Sequence, residues 1–363
     1  MALTEHAPGI YFGLPAEEYH ADPALSTGGI KDLLESPLTY WVNSRLNPDF
    51  EEPEDTTATE TGSAFHKRLL EGREAFDAVY AVAPDPADYP EAIAGGEAIK
   101  ARCKEMGLKA NVTLLEMAER IREQDPAAVL WPIIQAEAEE VAGERTILKP
   151  EIAKQIEGIA SVIEHHPSAR KALVGGFSEV SIFWIDESTG VRMKCRPDYL
   201  KTRAAVDVKT FSNSQGLPVD VAVTRAVASY RYHVQAVVYS EGIEAAKLLV
   251  REIGSKAVFA MGDRSPDAAW LKAFAEHPEH AFVFLFLQSG KVPNLRIREF
   301  RRLSQAGGDH GETLYWQQGM QGFRRGVELY LANMDKHGAD KPWHDDRPMT
   351  PFSDDEFPLY MFS

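Results

Sequence analysis

A chain of 363 residues, 44% of them hydrophobic, is long enough to bury a full core as one large domain or two smaller ones. No stretch approaches the roughly 20 apolar residues of a membrane span, and no basic segment followed by an apolar run opens the chain, so a cytoplasmic protein without membrane contact is expected. The formal net charge of -16 argues against tight, nonspecific binding of polyanions over the whole surface, and the two cysteines, Cys103 and Cys195, exclude a disulfide framework and a four-thiolate iron-sulfur cluster. Acid gathers at Glu51 to Asp55, Glu116 to Glu144 and Asp345 to Glu356, and base at Arg192 to Arg203 and Arg296 to Arg302. An acidic exterior around a basic channel fits that pattern.

In chain order, Ser26 is placed to cap a helix running to about Glu35, and Ser36-Pro37 restarts a second one carrying Tyr40, Trp41 and Val42. Glu51 to Thr61 is acidic and aperiodic and reads as a loop. A helix then opens near Thr61, with Phe65, Leu69 and Leu70 on its apolar face and His66 within it. Residues 84–150 read as a helical insertion, in which Ala98 to Glu123 gives helix, glycine-containing turn, helix. Through Ile99-Lys100, Gly107-Leu108-Lys109 and Glu116 to Arg120 this hairpin faintly resembles a SAP-type nucleic-acid module, and it departs from one at Asn111-Val112-Thr113. A hairpin that only packs fits the same residues, and the shortness of the match favours it.

Lys149 to Leu173 has an amphipathic helical period broken at His166-Pro167. Gly175-Gly176 precedes a strand from Phe177 to Ile185, and the turn Asp186 to Gly190 leads into Lys194 to Thr210, two short strands joined by a basic turn. After a polar loop with Gly216 and Pro218, Val221 to Gly242 reads as one helix, Lys247 to Ile253 and Ala281 to Leu287 as strands, and Leu295 to Arg301 as an edge strand. Gly307 to Gly311 reads as a linker, Glu312 to Met334 as a long helix, and His337 to Ser363 as an extended acidic and aromatic arm. There is no internal repeat. The expected divisions are an N-terminal helical part with His66 (1–83), the helical insertion (84–150), an α/β core (151–303), and the C-terminal helix and arm (304–363).

Strands interleaved with helices predict an α/β fold, a mixed central sheet flanked by helices. Side chains alternate along a strand, so Lys194, Arg196 and Asp198 would share one face and Val191, Met193, Cys195 and Tyr199 the other. In the next strand Asp207 and Lys209 would share a face, with Val206 and Val208 turned away. Two carboxylates and an ammonium above an apolar floor are the minimum for holding a divalent cation beside a phosphate and placing a water for attack. A structural ion-pair cluster is the alternative, at the cost of burying three charges. Glu179 alternates away from Val180, Ile182 and Trp184 and faces either the site or Arg192 or Lys194 across the sheet. His66 is a candidate metal ligand from an earlier helix. Gln235 and Tyr239, four residues apart, share a helix face that could reach Lys209 or a phosphate.

Together these pieces resemble the exonuclease VIII group, relatives of the RecB-like and lambda exonucleases in the PD-(D/E)XK nuclease superfamily. The resemblance rests on Leu25-Ser26-Thr27 with Ser36-Pro37, Gly62-Ser63-Ala64-Phe65-His66, Glu179-Val180-Ser181, Arg196-Pro197-Asp198-Tyr199-Leu200, Asp207-Val208-Lys209-Thr210, and Tyr232-His233-Val234-Gln235-Ala236 through Tyr239, in the family's order over residues 25–242. It implies a restriction-endonuclease-like core and magnesium-dependent digestion, with manganese as substitute, of linear duplex DNA from a 5′ end, often within a ring of subunits. It further implies that Asp198, Asp207, the carbonyl of Val208 and His66 bind metal, that Lys209 orients or deprotonates the attacking water and stabilises charge on the phosphate, that Gln235 and Tyr239 position Lys209 or the backbone, and that Glu179 assists at a second metal or through water. The usual partner of the group is a single-strand annealing protein.

Arg196, Arg298, Arg301 and Arg302 are candidates for the DNA path, the last three equally readable as a solvated edge. His165-His166 and His277 with His280 lack a convincing carboxylate arrangement. No phosphate-cradling glycine loop is present, so no ATP is expected. A structure-specific or single-strand endonuclease, or a catalytically inactive DNA-end-binding protein, are the alternatives.

Overall fold

The computed structural model describes residues 5–52, 57–262, 264–290, 292–304, 311–353 and 356. Pro53 to Thr56 of the acidic loop, Gly307 to His310 of the expected linker and most of the arm beyond Ser353 lie outside them.

β1 (Gly9–Phe12) and α1 (Ala16–Ala21) lead to α2 (Thr27–Glu35), which begins where the Ser26 hydroxyl accepts the Gly29 N–H at 3.2 Å. α3 (Pro37–Asn43) begins in the same way, with Ser36 accepting from Thr39 at 3.0 Å. Each cap satisfies one of the N–H groups that a helix leaves unpaired at its start. α4 (Thr57–His66) starts a turn earlier than expected and runs into a π-helical turn, Lys67–Glu71, immediately after His66. α5 (Arg73–Val79), β2 (Tyr80–Val82), α6 (Gly96–Glu105), α7 (Leu114–Gln124), α8 (Trp131–Ala142) and β3 (Thr146–Leu148) follow. Ile99, Cys103, Met117, Ile121, Leu130 and Ile133 form a core cluster of their own between α6, α7 and α8. Thr113 and Glu116 cap α7 reciprocally, and this capping box occupies the place where the hairpin departs from the SAP-type pattern.

α9 (Pro150–His165) and α10 (Pro167–Ala172) are divided at His166, as the proline requires. Then come β4 (Phe177–Ser178), β5 (Ser181–Ile185), β6 (Arg192–Cys195), β7 (Tyr199–Leu200) and β8 (Ala204–Phe211). α11 (Val219–Ser229), α12 (Tyr232–Ile253), β9 (Val258–Ala260), α13 (Ala268–Glu276), β10 (Ala281–Gln288), β11 (Leu295–Phe300) and α14 (Leu314–His337) complete the chain.

The result is the expected mixed α/β architecture, with its strands in two main sheets. One has the order β11-β10-β8-β7-β4 and the other β6-β5-β1-β9. β8 and β10 are parallel, with Asp207 opposite Phe284 and Lys209 opposite Phe286; the long crossover that a parallel pair demands is supplied by α11 to α13. Val206 and Val208 point into a cluster with Phe65, Ile156 and Leu285, whereas Ala205 joins the main core with Ile30, Val237, Phe284 and Phe323. α12 and α14 approach so closely that a Cβ on Gly319 would lie 2.5 Å from the His233 carbonyl oxygen. Among the described residues no helix is long and apolar enough to cross a membrane.

Four expected elements are corrected. Phe177 to Ile185 is not one strand: it divides at Glu179-Val180, where Glu179 has φ 53, and its halves join different sheets. The first strand of the central segment divides likewise at Arg196-Pro197-Asp198, because Pro197 has no N–H to give a ladder. Val221 to Gly242 spans two helices, broken at Tyr230-Arg231 with Arg231 at φ 51. Lys247 to Ile253 is not a strand but the end of α12, since Ile243, Ala246 and Val250 continue a helical stripe into the core.

Candidate active site

The two breaks lie side by side, joined by a hydrogen bond from the Glu179 N–H to the Asp198 carbonyl at 3.0 Å. Each break releases its acid from strict strand alternation. Both acids thereby line a cleft of ≈ 1960 Å³, together with His66 from the end of α4. His66 Nε2 stands 3.8 Å from Asp198 Oδ2, and His66 Nδ1 stands 4.0 Å from Glu179 Oε1. One ligand atom from each of His66, Glu179 and Asp198 falls within 4.8 Å of the others, so the three could hold one metal ion.

Behind them the strands are tied together chemically. Asp198 Oδ2 accepts the Val208 N–H at 2.7 Å. Asp207, buried in β8, accepts from Gln235 Nε2 at 2.7 Å through Oδ2, and its Oδ1 is paired with Lys209 Nζ without a hydrogen bond of good geometry. Asp207 and Val208 lie outside the three-residue group, and Gln235, expected beside Lys209 or the backbone, is given to Asp207. Tyr239 lines the cleft and packs edge-on against Phe282 at 5.9 Å; burial pushes its hydroxyl well above the usual range.

Burial, and next the charge of Asp198, push the Glu179 carboxyl up to about 7, against the pull of His66 and Arg196. The same two causes push Asp207 up to about 6, with Lys209 opposing. Burial draws Lys209 down, but Asp207 and Asp198 outweigh it and keep the ammonium charged. Crowded carboxylates with raised pKa values mark a place short of positive charge, and a nitrogen and two carboxylate ligands suit a divalent cation there.

Several expected neighbours are elsewhere. Lys194, read as sharing a face with Asp198, is buried and donates to the carbonyls of Tyr19 at 2.8 Å and Asp22 at 2.6 Å. Glu179 does not pair across the sheet with Arg192, which binds Asp22 and Glu5 instead. Arg196 lines the cleft but is committed to the Leu14 carbonyl and the Ser181 hydroxyl, both at 2.8 Å, over the Tyr19 ring. Arg298 pairs with Asp220, Arg301 with Glu299 and Arg302 with Glu312, and none of the three lines the cleft. His165, His166, His277 and His280 are outside the metal-capable group.

Sequence reasoning missed two cations. Arg264 bridges Ser178 and Glu71 at 3.1 and 3.0 Å beside Glu179, and Lys31 of α2 stands beside Tyr232 near Lys209. Neither has a local signal, because each reaches the site through tertiary packing.

A family model described as a PDDEXK-like domain of unknown function (DUF3799) matches residues 26–261. The chain belongs to this PDDEXK-like family. The match takes in His66, Glu179, Asp198, Asp207, Lys209 and Gln235, and leaves β10, β11 and α14 outside it. Among solved structures, a protein from Eubacterium rectale named Putative exonuclease aligns with a TM-score of 0.45 and 16% identity over 94% of this chain and 97% of that one. No curated protein matches the sequence.

Proposed function

We propose that this PDDEXK-like protein is a metal-dependent deoxyribonuclease of the exonuclease VIII type, removing nucleotides from the ends of linear duplex DNA in the 5′ to 3′ direction. The observation that carries this reading is the three-ligand group His66, Glu179 and Asp198 standing next to the Asp207–Lys209 pair. Magnesium, or manganese in its place, would polarise a phosphoryl oxygen and make a water more acidic when bound there. The chain's own residues do the rest. Asp207, held by Gln235, keeps the Lys209 ammonium charged and in place. Lys209 can then orient the attacking water and donate toward the phosphate oxygen on which charge accumulates. Asp198 is fixed to β8 by the Val208 N–H, and Glu179 is tied to Asp198 through its backbone N–H.

The net charge of -16 supports a further part of the proposal, a ring of subunits that retains its substrate by enclosing it rather than by surface affinity. A single-strand annealing protein is the proposed partner of the product strand.

Linear duplex DNA labelled separately at 5′ and 3′ ends tests the reading, with magnesium, with EDTA and with Lys209→Ala. Magnesium-dependent release of the 5′ label, lost in the variant, with closed circles left whole, is the expected result. Cutting of circles would make the enzyme an endonuclease. Failure to cut ends, circles or single strands with either metal would leave a DNA-end-binding protein.

A further inference from the structure

Lys209 has a neighbour that the proposed chemistry does not use. Its ammonium and that of Lys31 each stand 5.3 Å from the centre of the Tyr232 ring. That ring rests on Phe284 and Phe286 of β10, with centroids 5.8 and 6.1 Å away, so its position is set by the core. Tyr230 stacks on it at 5.5 Å and 26°, yet Tyr230 itself is 59% exposed. A large aromatic ring shown to solvent beside a candidate site has lost part of its own burial energy.

Arg231 lies between the two tyrosines in the left-handed backbone region, φ 51. For a residue with a Cβ that conformation costs about 1–2 kcal/mol, and here it makes the turn from α11 into α12 that brings the two rings together. Among the described residues neither Arg231 nor Lys31 forms an ion pair with a carboxylate. Asp32, adjacent to Lys31, is bonded to Asn43 at 3.3 Å, and Asp207 is taken by Lys209 and Gln235. What marks the place is the combination: Lys31 lies against Tyr232, Arg231 adjoins both tyrosines in the chain, and the outer ring of the stacked pair faces solvent. A π-face for bases and flanking cations for phosphates are the two parts of a single-strand nucleic-acid site.

We propose that Tyr230, Arg231 and Lys31, supported by Tyr232, form a platform that seats a single-stranded stretch of DNA, stacking a base on Tyr230 and directing its phosphate toward Lys209. The direction of the strand rests on the nuclease reading above; the binding itself needs no catalysis.

The test is fluorescence anisotropy of a labelled single-stranded oligodeoxynucleotide with the full-length protein in EDTA. Tyr230→Ala is expected to weaken binding about tenfold, the loss of one stacked base, and Tyr230→Phe to stay within about twofold of wild type, since the ring is kept. Lys31→Ala, and Arg231→Gly, which accepts the left-handed backbone, should each reduce the slope of log affinity against log salt by about 0.7. Unchanged affinity in Tyr230→Ala, or no binding by the wild type, overturns the platform. Magnesium-dependent cleavage measured alongside separates the two readings. A wild type that cuts DNA while Tyr230→Ala binds normally refutes the platform alone. A wild type that binds through Tyr230 but cuts nothing supports the platform and refutes the nuclease.

Discussion

Two buried knots of charge, one around Lys194 and one around Lys209, are built from the same residue types and reach opposite balances. Near Lys194, Asp22 accepts the N–H groups of His6 and Ala24 at 2.7 Å, the His6 ring at 3.0 Å and Arg192 at 3.2 Å. Burial pushes the Asp22 carboxyl up, but these donors together outweigh it and leave it below the usual range. Lys194 gives its protons to two carbonyls of the same segment. Every group has partners, and the knot clasps the N-terminal segment to β6. Around Lys209 there are three carboxylates, and Glu179 and Asp207 are both pushed up toward neutrality. Structural clusters satisfy their charges, whereas this one leaves a deficit that a cation can fill.

The largest effect separating the knots should come from Lys209→Ala, which is expected to lower kcat for 5′-label release by about 100- to 1000-fold, the usual cost of losing one donor to a developing oxyanion. The variant should stay folded by circular dichroism. If its activity stays within a few-fold of wild type, Lys209 is as structural as Lys194.

Lys194→Ala should do the reverse. It strands two buried carbonyls at about 1–3 kcal/mol each, so urea denaturation should show a loss of about 2–6 kcal/mol, while turnover per folded molecule is unchanged. Lost turnover at intact stability would place Lys194 in the site and dissolve the contrast.

A smaller, pH-dependent difference belongs to Asp22. Its folded pKa lies below the ordinary value of 3.8, so its stabilisation is fully present above that value and is lost as pH falls through the folded one. The stability gap between wild type and Asp22→Asn should therefore narrow as pH drops below about 4. A gap that widens with acid would mean that Asp22 is not the satisfied carboxylate the geometry describes.

Arg298→Ala should show the least. Its pairing with Asp220 is exposed on the edge strand β11, and a change within about 0.5 kcal/mol in stability is expected. A large loss of DNA affinity would return the edge arginines to the DNA path.

Much of this contrast was legible before the fold. Ser26, Ser36 and His166-Pro167 act locally, so their helix boundaries could be read directly. Val206 and Val208 against Asp207 and Lys209 could be read because β8 is a single unbroken strand. The family, too, was within reach at the level of its superfamily. What could not be read is the pair of breaks at Glu179 and Pro197. Alternation carried through them sets Lys194 beside Asp198, and leaves Glu179 at a second metal or behind a water rather than grouped with His66 and Asp198. A glutamate with positive φ has no signature in composition, because its conformation is imposed by the crossing of the chain between two sheets. The end of α12 misled for a different reason: Leu248-Leu249-Val250 is a short apolar run that fits strand and helix alike. Lys31 and Gln235 find their partners only once α2 and α12 are packed.

The most direct test of the central claim, that the Lys209 knot is short of positive charge and takes a divalent cation, is thermal unfolding of wild type and Asp198→Asn with magnesium or manganese titrated in. A cation-dependent rise in Tm is expected for the wild type, equivalent to about 2.7 kcal/mol at one hundred times Kd, and little or none for the variant. A wild type that does not respond, or a variant that responds equally, would contradict it.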